Sequence, residues 1–147
     1  TLHNYFGRRT GALPSGRKAG VALADGSVSA SPGMDRKGPT ALIMSATKVL
    51  DTTRYAAGLL NMKFHPSALR SKDQLNKLIA LIKSYLDLGG HHVQFNVVSA
   101  DTLRDAQLHP ENYRGLIVRV AGFSALFVAL DHPIQDEIIK RTELTLR

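Results

Sequence analysis

A chain of 147 residues is long enough to enclose a core of its own, and 44% hydrophobic with 21% charged residues is the make-up of an ordinary globular protein. It contains no cysteine, which excludes disulfides, thiolate metal sites and thiol nucleophiles within the chain. The formal net charge of +7 raises nucleic-acid binding, but the early basic residues (Arg8, Arg9, Arg17, Lys18, Arg36, Lys37) have only Tyr5-Phe6 as an aromatic pair nearby, too little for a stacking platform.

Residues 1–38 are dense in glycine and proline without a sustained period, which predicts irregular chain with short extended pieces such as Gly20-Val21-Ala22-Leu23. So long a stretch without structure is unusual in a standalone domain, and it is expected to pack against protein outside this sequence. Within it, Gly11 to Lys18 has glycines at phosphate-loop spacing. Its lysine stands one place late, and Ala19 occupies the position of the metal-binding hydroxyl, so no phosphate loop is assigned.

Gly38-Pro39 opens a helix whose apolar face is Leu42, Ile43, Ala46, Val49 and Leu50. Leu59 to His65 alternates, with Leu60, Met62 and Phe64 on one side, and predicts a strand that His65-Pro66 stops. Ser71-Lys72-Asp73-Gln74 is a capping box, and the helix behind it is expected to bury Leu75, Leu78, Ile79, Ile82, Tyr85 and Leu86 until Gly89-Gly90 ends it. A second strand alternates Val93, Phe95 and Val97 with Gln94, Asn96 and Val98. Ser99 or Asp101 then caps a short helix running through Gln107. Strands Leu116–Val120 and Ala125–Leu130 flank Gly122, and Pro133 starts a last helix with Asp136 and Glu137 early and Lys140 and Arg141 late, in keeping with its dipole.

Six histidines invite a metal hypothesis. His91 and His92 are strand neighbours that point to opposite faces, His65, His109 and His132 precede prolines, and no ligand spacing of a known metal site appears, so no metal is assigned. His91 or His92 could face the Gly122 loop. No apolar run approaches a membrane span and the first residues lack a basic-then-apolar signal, so a cytoplasmic protein without membrane contact is predicted.

A glycine between two apolar strands marks a tight turn or a close approach. Here the surrounding residues, Arg119-Val120-Ala121-Gly122-Phe123 followed by an apolar strand and then Ile134 to Glu143, resemble the carboxy-terminal signature of glycyl radical enzymes, the pyruvate formate-lyase superfamily. The block from Gly16 through Ser31-Pro32-Gly33-Met34-Asp35-Arg36-Lys37-Gly38-Pro39-Thr40-Ala41 is similar to the segment that precedes the radical domain in that family. The phrases Leu60 to Leu69 and His92 to Val98 look most like its glycerol and propanediol dehydratase branch.

The resemblance implies an α/β fold, the C-terminal portion of a ten-stranded α/β barrel of the pyruvate formate-lyase type with the glycine loop inserted at the barrel centre. Residues 1–40 would belong to the upstream lyase domain and 41–147 to the glycyl radical domain. Gly122 would carry a backbone radical: without a Cβ its α-carbon can flatten, while the adjoining amide nitrogen and carbonyl share the spin. A separate activating enzyme, using S-adenosylmethionine and an iron–sulfur cluster, would install that radical. It would read Arg119, Val120, Ala121 and Phe123, although phenylalanine stands where many relatives have tyrosine. No small-molecule cofactor would be bound.

By the same resemblance the radical would oxidise a cysteine, which must lie outside this sequence, for dehydration of glycerol or 1,2-propanediol. The implied partners are the activating enzyme, the remainder of a large lyase chain, a second copy in a homodimer and a small-molecule substrate. The compartment is the cytoplasm or a bacterial microcompartment. Other branches (choline lyase, arylacetate decarboxylase, benzylsuccinate synthase), a freestanding glycyl radical protein that restores a damaged enzyme, and a basic nucleic-acid-binding module stand as alternatives.

Overall fold

The computed structural model describes residues 2–49, 51, 54, 58–141 and 143–146. Its elements in chain order are helix α1 (Leu2–Arg9), helix α2 (Pro39–Val49), strand β1 (Leu59–Phe64), helix α3 (Lys72–Asp87), strand β2 (His92–Val97), helix α4 (Ala100–Leu108), strands β3 (Ile117–Arg119) and β4 (Ser124–Leu126), helix α5 (His132–Lys140) and strand β5 (Glu143–Leu144). Short 3-10 turns follow β1, α4 and β4. This is the mixed α/β class expected.

β1 lies between β2 and β5 in a parallel sheet, with Asn61 opposite Gln94 and Lys63 opposite Asn96. A parallel β1–α3–β2 unit needs a crossover, and α3 supplies it. Ser71 Oγ accepts the Gln74 N–H while the Gln74 side chain accepts the Ser71 N–H, so the capping box closes as the sequence predicts. Among the described residues, β5 pairs with Lys63 and Phe64. Ser27, Val28 and Ser29 occupy the part of that edge it leaves free: Leu59 N–H donates to Ser27 Oγ, Asn61 N–H to Ser29 Oγ, and Val28 N–H to the Leu59 carbonyl.

Because strand side chains alternate, the sheet has two unlike faces. On one, Leu60, Met62 and Phe64 pack with Leu42, Ile43 and Ala46 of α2, Leu81 and Tyr85 of α3, and Leu144. On the other, Asn61 bonds to the Asp25 carbonyl, while Lys63, Gln94 and Asn96 meet the elements that enclose a second core made of Val98, Leu103, Ala106, Val118, Val120, Phe127, Ile138 and Ile139. The two cores share no residue, and the second lies wholly between β2 and β5 in sequence.

Four expectations need correction. Residues 2–9 are helical, although Gly7 is a poor helix former: the bare α-carbon is needed because an added Cβ would come within 2.7–2.9 Å of the backbone of Val21, Ala22 and Leu23. Residues 20–23 form no strand. In α3 it is Leu81 and Tyr85 that are buried, whereas Leu75, Ile79 and Leu86 are exposed, because α3 packs on one side only, against α2 and the sheet. The expected strand Ala125–Leu130 pairs only through Leu126 and then turns into a 3-10 turn at Phe127–Ala129, where Gln135 Nε2 donates to the Phe127 carbonyl; its partner strand is likewise confined to Ile117–Arg119. Leu50, expected on the apolar face of α2, lies outside the described residues, as does the side chain of Val49; Leu42, Ile43 and Ala46 are buried as expected.

Candidate functional site

The polar face of the sheet carries an antiparallel hairpin, β3 and β4, in which Arg119 pairs with Ser124. Between them Val120, Ala121, Gly122 and Phe123 make the turn, closed by a 2.9 Å hydrogen bond from Val120 N–H to the Phe123 carbonyl. Gly122 has φ +76°, a backbone conformation that a side chain resists, and space beside its α-carbon is open. A glycine is therefore required by the backbone torsion and not by crowding. Gly122 and Phe123 are exposed, Ala121 is half-buried, and Val120 is fully buried in the second core.

Arg119 is not the free strand-end charge that its position alone suggests. Its guanidinium donates to the Gly122 carbonyl (3.2 Å), to Ser124 Oγ (3.2 Å) and to Gln94 Oε1 (2.8 Å). The glycine carbonyl is thus held by a cation three residues away in the same turn. Behind Gln94, its amide nitrogen lies 3.0 Å from His92 Nε2, so His92 is linked to the loop through one intervening side chain.

The backbone of Arg119 is gripped from the sheet. Asn96 Oδ1 accepts the Arg119 N–H and Asn96 Nδ2 donates to the Arg119 carbonyl, each at 2.7 Å. A single side-chain amide here imitates the donor–acceptor pair of a neighbouring strand. From the other side, Arg141 donates to the carbonyls of Arg119 (3.2 Å) and Val120 (2.7 Å). Arg141 is itself held by Asp25 at 3.0 Å and Glu137 at 2.9 Å, and Glu137 lies 3.4 Å from His3 of α1. Burial alone would raise the Glu137 carboxyl, but the hydrogen bonds from His3 and Arg141 outweigh it and hold the group below its ordinary 4.5.

Lys63 is buried beneath this assembly. Its ammonium donates to the carbonyls of Ile138 (3.4 Å) and Ile139 (3.0 Å) at the C-terminal end of α5, where a cation is favoured, and Glu143 lies 3.7 Å away. Loss of water around the ammonium lowers its pKa from 10.5, with Arg141 and Arg104 adding to the effect and Glu143 opposing it.

Sequence reasoning picked out Arg119 and Gly122 and missed Gln94, Asn96, Lys63 and Arg141. Their signal was available: in both predicted strands the amides and the lysine fall on one parity, Asn61 and Lys63 in one and Gln94 and Asn96 in the other. A polar stripe of that kind reads as a solvated face unless something is known to cover it.

The family model described as "Glycine radical" matches residues 24–128. Indoleacetate decarboxylase of Tractidigestivibacter scatoligenes is 57% identical over 143 residues, covering 97% of this chain and 16% of that protein. Glycerol-bound B12-independent glycerol dehydratase from Clostridium butyricum superposes with a TM-score of 0.93 at 51% identity, covering 99% of this chain and 18% of the other. A structure concerned with 1,2-propanediol dehydration in Roseburia inulinivorans superposes at 0.90 with 50% identity, over 96% of this chain and 17% of that one. The chain thus spans about a sixth of the length of the relatives it matches. It belongs to the glycyl radical enzymes, as their radical-bearing glycine domain.

Proposed function

We propose that this chain is the radical-bearing part of a larger radical lyase, with the unpaired electron stored on the α-carbon of Gly122. The observation that carries this is the placement of Gly122: within the matched residues, at the exposed tip of a hairpin, with positive φ, open space beside its α-carbon and its carbonyl bound by Arg119. A guanidinium on that carbonyl draws electron density toward the oxygen, which favours sharing of spin between the amide nitrogen and the carbonyl. A separate activating enzyme using S-adenosylmethionine and an iron–sulfur cluster removes one hydrogen atom from Gly122, and reads Arg119, Val120, Ala121 and Phe123 once the hairpin leaves its seat. The burial that Gly122 lacks here comes from the remainder of the lyase, which also supplies the cysteine that this chain does not contain.

In the complete enzyme, residues 1–40 belong with the upstream lyase domain and 41–147 form the glycyl radical domain, set at the centre of a ten-stranded barrel. The assembled protein is a homodimer acting on a small molecule in the cytoplasm or a bacterial microcompartment. The reaction is the elimination of water from glycerol or 1,2-propanediol, by analogy with the dehydratases at 50% and 51% identity. A second reading, arylacetate decarboxylation, is favoured by the 57% identity to indoleacetate decarboxylase.

Electron paramagnetic resonance after anaerobic activation tests the radical assignment. A doublet is expected from the native enzyme and none from Gly122→Ala, whose backbone strain of about 1–2 kcal/mol leaves the fold intact. A doublet that persists in the alanine variant places the radical elsewhere. Turnover of glycerol, 1,2-propanediol and indoleacetate by the activated enzyme then separates the two reactions.

A further inference from the structure

We infer that the polar seam between the two cores is a latch, and that Asn96 is the positioning residue that sets how tightly the glycine hairpin is docked. The second core is self-contained, so Val118 and Val120 stay packed with Leu103, Phe127 and Ile138 whether or not the hairpin sits on the sheet. Among the described residues, the hairpin makes no backbone–backbone hydrogen bond to β1, β2 or β5. The Asn96 side chain joins the Arg119 backbone to the sheet through two hydrogen bonds of 2.7 Å, Gln94 holds the Arg119 side chain, and Arg141 adds donors to the Arg119 and Val120 carbonyls from outside the sheet. Joints between side chain and backbone can part and re-form without disturbing a strand ladder, whereas a shared ladder would have to be unzipped.

Resting on the reading of Gly122 as the radical site, this assigns Asn96 opposite effects on two steps. Docking favours use of the radical, because it fixes where Gly122 sits. Undocking favours its installation, because the side of the turn that rests on Gln94 and Asn96 becomes reachable while Val120 stays in its core. Loosening the latch therefore speeds the second process and slows the first, a split that simple damage to the fold does not produce.

The test uses the full-length enzyme with its activating enzyme and two variants. Asn96→Leu removes both hydrogen bonds; Asn96→Asp keeps the acceptor for the Arg119 N–H and loses the donor, and it decides the matter if the leucine variant does not fold. The expected result is growth of the glycyl doublet faster by about tenfold in Asn96→Leu, with turnover per spin lower by a similar factor, the size set by loss of two hydrogen bonds. Hydrogen exchange in the unactivated enzyme, which needs no radical, is expected to quicken across residues 117–126 and not across 72–87. Unchanged exchange at 117–126, or doublet growth and turnover per spin falling together, overturns the latch. Faster exchange in the variants with no doublet from the native enzyme leaves the latch standing and overturns the radical reading instead.

Discussion

The two faces of one small sheet are built on different principles. Facing α2 and α3, Leu60, Met62 and Phe64 are buried among aliphatic and aromatic side chains, and the attraction there is non-directional. On the opposite face, Gln94 and Asn96 bond to Arg119 of the hairpin, Lys63 to the end of α5 and Asn61 to the Asp25 carbonyl, through hydrogen bonds whose geometry must be met atom by atom. The first arrangement supplies cohesion. The second supplies placement, and it can be undone without exposing much oil to water.

The sharpest way to break that contrast is to truncate one residue on each face of β1. Phe64→Ala, at a fully buried position, is expected to cost about 3–5 kcal/mol in urea unfolding. Lys63→Met, next to it and equally enclosed, is expected to cost less, about 1–3 kcal/mol, through carbonyls of α5 left without their donor. If the lysine change proves the costlier, the polar face is the main source of stability and the contrast fails.

A smaller effect appears in acid. Glu137 has a depressed folded-state pKa, so its contribution is complete above about 4.5 and is lost as pH falls through the lower folded value. Melting temperature measured against pH is expected to fall across that range in the native protein and to flatten there in Glu137→Gln, which already lacks the charge pairing with Arg141. An unaltered slope in the variant assigns the acid sensitivity to other carboxylates. The smallest effect is one of rank in the unmodified protein: amides of residues 113–130 are expected to exchange before those of α3, whose sixteen residues are capped and internally bonded. The reverse order contradicts a loosely seated hairpin.

The same contrast explains what could be read in advance. Alternation of Leu60, Met62 and Phe64, the Ser71–Gln74 box and the glycine pair after α3 are local patterns with local causes, and they placed the strands and the longer helices well. The polar face was illegible because the partner of Gln94 and Asn96 is Arg119, more than twenty residues on. Helix α1 escaped notice since Gly7 argues against it and its support is a backbone contact with residues 21–23. The run after Gly122 looked like continuous strand, and nothing nearby announces that Gln135 will bend it at Phe127. The site divides the same way. Gly122 stood out from its motif, while the residues that position it came into view only with the chain folded.

The sequence between β2 and β5 departs from one neighbour of β1 and returns to the other, with Ala100 N–H bonded to Glu143 close to where the two ends meet. A flap leashed at both ends cannot wander. Once lifted it stays at high local concentration above its own seat, so reseating is a first-order event that dilution does not slow. Any lifting of the hairpin is therefore expected to be short-lived and reversible, and cutting either leash to prolong it.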